Sequence, residues 1–474
     1  MSEQTISRRG EASPALCAVL TTAPRWAGIV ALCVCLVPVR GQGEGSLLTS
    51  APVQPHYEGQ VRLDYDYRSQ GDSKDSDFYG SWYGGAHDLG NGYLDFYASG
   101  RAHRDLDGSS LYDGTFRSPD DARGVTENRL QQAYLDAHDR NSDLQVRLGR
   151  QYIDEADFLQ LDGGLVSLFD NGKLGGNAYF GVPVSYYLPV TGDLAGGASL
   201  VGRPWTGNRT RFTYADYYDH SADQSDHNFF VDLQQELSDA VRTRAQASIL
   251  NGDFRMAYVD CSYFAPDGST DAHIGGSRWG EFDAKTVAYS PLYQQFGVQQ
   301  PYTFLYAKLS YAITPKWMIS PGISANRADD SGQNFSNRDY SDYDLTLIYA
   351  PIKALSTSVS LHYWNVDGGD SLLGLNGEIR YRYRRLWEIS AGSAYVQNTY
   401  NSYSDIAYSI NGGQTVFQEN GTVTKETPYS LSYFLRTRWN FTPRTSLRLE
   451  GSIEDDKEVS ALSYELRSSL QVRL

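Results

Sequence analysis

Residues 371–400 read SLLGLNGEIRYRYRRLWEISAGSAYVQNTY, and the order of side chains in that stretch decides the fold. Leu373, Leu375, Ile379, Tyr381 and Tyr383 fall on one parity, and Asn376, Glu378, Arg380, Arg382 and Arg384 on the other. Successive side chains of a β-strand leave on opposite faces, so this segment has one apolar and one charged face. The last residues repeat the design: Leu466, Leu470, Val472 and Leu474 oppose Glu465, Arg467, Gln471 and Arg473. A soluble sandwich needs a second sheet over each apolar face, whereas lipid covers the outside of a closed barrel in a bilayer. The expected fold is therefore all-β: a transmembrane, antiparallel, up-and-down β-barrel.

The bulk composition fits that reading. Mean hydropathy is −0.47 and 21% of residues are charged, and beyond the N-terminus no apolar run reaches the ~18 residues of a membrane-spanning helix. Yet the 474 residues include 36 Tyr and are 13% aromatic, a mixture that barrels produce because half of each strand is polar and aromatic girdles mark both interfaces.

Residues 1–43 read as an export signal. Arg8, Arg9 and Arg25 precede an apolar run, 26–39, and Gly41 and Gly43 offer cleavage points. The pair Arg8-Arg9 lacks the apolar residues of a twin-arginine signal directly after it, which favours the general secretory route; Pro38 breaks a run already short for a retained anchor. Three of the four cysteines lie in that signal, leaving Cys261 alone in the mature chain, with no internal disulfide and no cysteine cluster for zinc or iron–sulfur. No Cys-x-x-Cys-His occurs for covalent haem. Removing the signal takes four basic and two acidic residues from 41 and 57, so the mature net charge is −18 and nucleic acid is a poor partner.

A linker, 44–59, with Pro52 and Pro55, leads to a first alternating strand at 60–68, and the barrel is expected over 60–474. No folded domain fits ahead of it, in contrast to the plug of TonB-dependent transporters. Short links rich in Asn, Asp, Gly or Pro fall at 86–91, 139–142, 170–173, 203–208, 238–240, 314–316, 351–354, 384–386 and 442–444. Longer polar loops alternate with them at 105–127, 183–195, 219–226, 291–301, 328–338 and 398–427. Short turns on the periplasmic rim and long loops on the outer one are the outer-membrane pattern. The spacing predicts about 22 strands, within a range of roughly 18–22, with the weakest alternation at 154–181 and 264–282. Trp205, Trp317, Trp387 and Trp439 lie in or beside short links and are expected to form an aromatic girdle there.

From Asn128 the chain reads NRLQQAYLD, from Asp143 DLQVRLGRQ and from Leu161 LDGG. This hairpin resembles Gram-negative outer-membrane porins and porin-like barrels, including the alginate-export type, which pair an Ala-Tyr-Leu strand with an Arg-Leu-Gly-Arg-Gln strand. The resemblance implies an outer-membrane channel without naming a solute. Such barrels commonly end on an aromatic residue, whereas this chain ends on Leu474.

If lipid meets the apolar face, the polar face lines the lumen and sets what passes. The pore-lining candidates are Arg380, Arg382 and Arg384, with Glu388 beside them, Arg242 and Arg244, and Arg436 and Arg438. Each arginine set, at i, i+2 spacing, makes a vertical basic ladder. It guides anions or carboxylate-bearing sugars if the arginines are free, and stiffens the wall if they pair with carboxylates on neighbouring strands, such as Glu388. The acidic excess gathers in loops, at Asp72, Asp75 and Asp77, Asp105 and Asp107, Asp120 and Asp121, and Asp329 and Asp330, as solvated faces or as sites for divalent ions.

Enzymatic readings find little support. Gly-x-Ser-x-Gly and His-Glu-x-x-His are absent. His220 and His227 flank one loop near Asp223 and Asp226, where a rim protease or lipase site would sit, but ordinary loop histidines are the simpler reading. Asp139-x-Asn141-x-Asp143 opens like a calcium loop, then places Leu144 where Gly is needed and Arg150 where Glu is needed. No metal, cofactor or catalysis is expected. Two functions compete: a porin-like channel for small hydrophilic solutes in outer-membrane lipid and lipopolysaccharide, or a barrel sheath filled by a partner such as a multihaem cytochrome, since barrels of 22 strands are usually plugged. A secreted soluble all-β protein such as a propeller is the third reading, and the repeats of about 40–45 residues that it needs are not found.

Overall fold

The computed structural model describes residues 53–107, 126–138, 144–154, 159–168, 174–185, 191–281, 285, 301–329, 339–366, 369–403, 406–411, 414–419, 423–457 and 461–474. The export signal, the calcium-like segment and Asp120, Asp121 and Asp330 lie outside them. Among the described residues, 22 strands pair antiparallel, each with its neighbour in sequence, and close into a barrel. Closure is made by the first strand, His56–Gln70, against the last, Ala461–Arg473, in register from Gln60 opposite Arg473 to Gln70 opposite Ser463. The backbone N–H of Leu474 donates to Gly59 O at 2.8 Å and ends the seam. A closed sheet leaves no row of unpaired N–H and C=O groups, as hydrocarbon surroundings require.

With the start of the first strand and the end of the last on one rim, the short connections fall on that rim. Seven of the nine expected short links lie within described residues, and all seven are on the rim that carries His56 and Leu474. Another is Ala265–Ser269, inside the weakly alternating stretch. There Asp267 Oδ1 accepts from the Ser269 hydroxyl at 2.7 Å and the Ser269 backbone N–H at 2.9 Å. Those two bonds hold the carboxyl below its ordinary value.

Three sequence expectations change. The first strand starts at His56, four residues before residue 60. The expected loop 219–226 is a four-residue connection, because pairing runs on to Asp219 opposite Gln224. The expected loop 398–427 is largely strand: Trp387–Tyr403 continues past the barrel to pair with Val423–Glu426, and Ile406–Asn411 pairs with Gln414–Glu419. Two links on the long-loop rim are also tight turns, Gly71-Asp72 and Asn251-Gly252. The latter has φ of 54° and 96°, the left-handed values that Asn-Gly supplies in a two-residue hairpin.

The outward parity is apolar along the wall, with Ile274 62% and Leu305 56% exposed and Leu345, Leu361, Leu375 and Leu435 beside them in the same orientation. Inward side chains are crowded by curvature, and glycines relieve the crowding. Gly275 lies under the Tyr306 ring and Gly392 under Phe434; a Cβ added to Gly392 would stand 2.5 Å from Phe434 Cζ and 2.4 Å from Gly377 O. Neither glycine has a positive φ, so the backbone does not need them; the neighbouring ring does.

Gly392→Val is accordingly expected to cost about 1–3 kcal/mol by overpacking, whereas Gly377→Ala, with nothing within 4 Å of the added carbon, stays within about 0.5 kcal/mol of wild type. Urea unfolding in detergent, followed by the change in gel mobility between folded and unfolded barrel, measures both.

Candidate functional site

Which face is interior follows from contacts that skip a strand. On the concave side of a curved sheet side chains converge, so residues two strands apart meet over a glycine. Tyr306 Oη donates to Asp260 Oδ2 at 2.6 Å and lies 3.0 Å from Tyr258 Oη, with Gly275 on the strand between. Arg436 lies 3.8 Å from Glu378, with Ser390 and Gly392 between. The polar parity is therefore the inner one.

Most of the arginines expected to line a pore stand on this inner wall, arranged as circumferential rows of mixed sign. Strand register sets Arg380, Ser390, Arg436, Glu450, Arg467 and Asp66 side by side across six strands. The next row toward the short-turn rim is Arg382, Glu388, Arg438, Arg448, Ser469 and Asp64. Arg380 pairs with Glu378 at 2.6 Å, Arg382 with Glu388 at 2.7 Å, and Arg436 with Glu450 at 2.6 Å. Arg448 reaches the other Glu450 oxygen at 2.9 Å. On the opposite part of the wall Arg244 makes two bonds to Asp232, at 3.0 and 2.8 Å, and Arg242 lies 3.5 Å from Glu236.

Arg438 differs. Among the described residues it has no ion-pair partner within 4.0 Å, and Arg448 stands directly opposite it in register. Arg384 corrects the sequence reading: its strand ends at Tyr383, Arg384 takes a φ of 51° in the turn, and its guanidinium lies over the Tyr383 ring at 5.4 Å. The sequence offers Arg384 two places, the end of the ladder and the start of the short link 384–386, and the structure has it in the link.

The arrangement leaves a recess of about 330 Å³ beside the short-turn rim, lined by Arg62, Arg380, Arg436, Arg438 and Arg448 against Glu388 alone among carboxylates. Arg62, Arg448 and Arg467 were absent from the ladders because only register brings strands at opposite ends of the sequence together. A second departure is apolar. Ile153, Leu159, Leu161, Leu165, Tyr179, Ala195, Ala215 and Tyr217 form a buried cluster on the inward parity of five consecutive strands, so the inner wall is not polar all round.

The four tryptophans expected to form a girdle, Trp205, Trp317, Trp387 and Trp439, all lie at the short-turn rim. Trp317 stacks on Tyr349 at 4.3 Å between ring centres, and Trp387 donates from Nε1 to Thr437 at 3.0 Å. Trp439 neighbours Phe441, and Trp205 donates to Gln235. His220 and His227 take separate partners. The backbone N–H of His220 donates to Asp193, whereas His227 Nδ1 lies 3.2 Å from Asp216 on the outward face, and Asp226 turns inward to Asn251 and the backbone N–H of Lys285.

No protein-family model and no curated protein matches the sequence. Among solved structures, Pseudomonas aeruginosa OpdK with vanillate is 11% identical, covering 88% of this chain and 98% of its own, with a TM-score of 0.42. Pseudomonas aeruginosa OccK9 (OpdG) is 12% identical over 89% and 98%, also at 0.42, and OpdQ of the same organism is 11% identical over 89% and 97%, at 0.40.

Arg244→Ala removes both guanidinium bonds from Asp232, whose side chain is only 4% exposed. The expected loss is about 1–3 kcal/mol, and Asp232→Ala in the same chain should recover most of it. Arg438→Ala strands no carboxylate and should change stability by less than about 0.5 kcal/mol. A double-variant unfolding series measures these differences.

Proposed function

We propose that this protein is an outer-membrane channel for the passive diffusion of small hydrophilic solutes. The observation that carries the reading is the division of the closed 22-strand wall into an apolar outer face and an inner face lined chiefly by charged and hydroxyl side chains. Lipid solvates the first and water the second. With strands about 4.8 Å apart and tilted by about 40°, 22 of them enclose a backbone cylinder about 40 Å across. That is ample for a water-filled path once side chains are added.

On this reading Arg242, Arg244, Arg380, Arg382, Arg436 and Arg438 line the pore with Glu388, and Trp205, Trp317, Trp387 and Trp439 sit at the periplasmic interface. Paired arginines offer little net field, because each guanidinium is answered by a carboxylate within hydrogen-bonding reach. The recess around Arg438 has a cationic excess, and it is the part of the wall that favours anions.

Purified protein in a planar bilayer should give steady conductance, and a KCl gradient should give a reversal potential on the anion-selective side that moves toward zero in Arg438→Ala. Folded barrel that conducts nothing by itself, or conducts only when a haem protein is added, overturns the open-channel reading.

A further inference from the structure

A second cluster on the inner wall lies away from the arginine recess, toward the long-loop rim. Asp342 and Asp344 are i, i+2 neighbours on Tyr340–Ile352, and strand register sets His362, on Leu355–Val366, directly opposite Asp344. Both strands share the inward parity here, continuous with Tyr306 through Ser324 and Asp342. His362 Nδ1 lies 2.9 Å from Asp344 Oδ1 and 3.2 Å from Asp342 Oδ1. The imidazole nitrogen is hydrogen-bonded to Asp344, Asp342 Oδ1 has no hydrogen-bond partner among the described residues, and one ligand atom from each residue falls within 4.8 Å of the others.

Those separations suit a metal ion. Ligands about 2.0–2.2 Å from a common ion stand roughly 3–3.5 Å apart, whether tetrahedral or cis-octahedral. The surroundings are cleared for further ligands. In the same register row the two flanking residues are Gly322, opposite Asp344, and Gly374, opposite His362. Neither has a positive φ, so the backbone does not require glycine, and neither lies beneath an aromatic ring as Gly275 and Gly392 do. A side chain at Gly322 would meet Asp344 Oδ2 at 3.3 Å. The remaining faces are Trp364 and Ser324, opposite Asp342, and Lys308 beyond Gly322, whose single charge leaves the two carboxylates with an excess of one.

We infer that Asp342, Asp344 and His362 bind a divalent transition ion of the zinc, copper or nickel class on the lumen wall, with positions left open for water or a solute. An imidazole with two carboxylates and open positions suits these ions better than calcium or magnesium, which take all-oxygen shells. The ion binds Nδ1 of the neutral imidazole in its Nε2–H tautomer and takes the place of the hydrogen bond between Nδ1 and Asp344. The site rests on the channel reading only in that its open side faces the lumen.

The test is titration of untagged protein in detergent with Zn²⁺ against a chromophoric chelator, which requires no conductance. One ion per chain is expected. His362→Ala and Asp344→Asn, shown by gel mobility to be folded, should each weaken binding at least about tenfold, since losing even an outer partner of a metal ligand costs that much. A large excess of Ca²⁺ should leave the bound ion in place. Absence of saturable binding, equal affinity in His362→Ala, or displacement by Ca²⁺ overturns the inference. A silent bilayer recording would count against the channel and leave the zinc result standing.

Discussion

The pairing of the first strand with the last is the constraint on which the rest depends. His56–Gln70 and Ala461–Arg473 are separated by nearly the whole chain, and until they meet, both present an unsatisfied edge. In hydrocarbon each unsatisfied group costs several kcal/mol, so an open sheet of this length is not a stable alternative. Closure then fixes the remaining geometry. It gives the wall a concave and a convex side, assigns each parity of each strand to one of them, and places the start of the first strand and the end of the last on one rim.

Curvature has a second consequence, visible only on the inner side. Side chains that converge there must be thinned, and the glycines beneath Tyr306 and Phe434 do this while letting Tyr306 reach Asp260 and Arg436 reach Glu378 across an intervening strand. Along part of that wall charges alternate, through Arg436, Glu450, Arg467 and Asp66, which avoids the cost of like charges directly opposite one another. Like charges do face each other elsewhere on the wall, Asp66 opposite Asp77, Asp77 opposite Asp105 and Arg101 opposite Arg129; the pair Arg438 and Arg448 is the one that lies where the recess opens. The unpaired charge and the free volume coincide.

Alternation made the outer face legible from residues 371–383 onward, and Asn, Asp, Gly and Pro made the short rim legible. Where alternation fails, the structure shows why. In LQLDGGLVSL, Leu159–Leu168, Leu161 and Leu165 face inward and Val166 and Leu168 outward, so both faces are apolar and the period of two disappears. What one strand carries was readable; what stands beside it was not. Arg380 and Arg382 were visible as a ladder, but the pairing of Arg436 with Glu450, or the 18-residue separation that brings His362 to Asp344, needs register. Arg384 fitted both the ladder and the short link 384–386, because spacing alone does not separate the last strand residue from the first turn residue.

The account rests on the claim that lipid meets one parity and water the other. Single cysteines placed along residues 372–381 in a Cys261→Ser chain, reconstituted into liposomes, test it most directly. Positions 376, 378 and 380 should react with a water-soluble maleimide, and fluorophores at 375, 377 and 379 should be quenched by brominated lipid. Loss of that alternation, or its reversal, would contradict the barrel orientation and the channel with it.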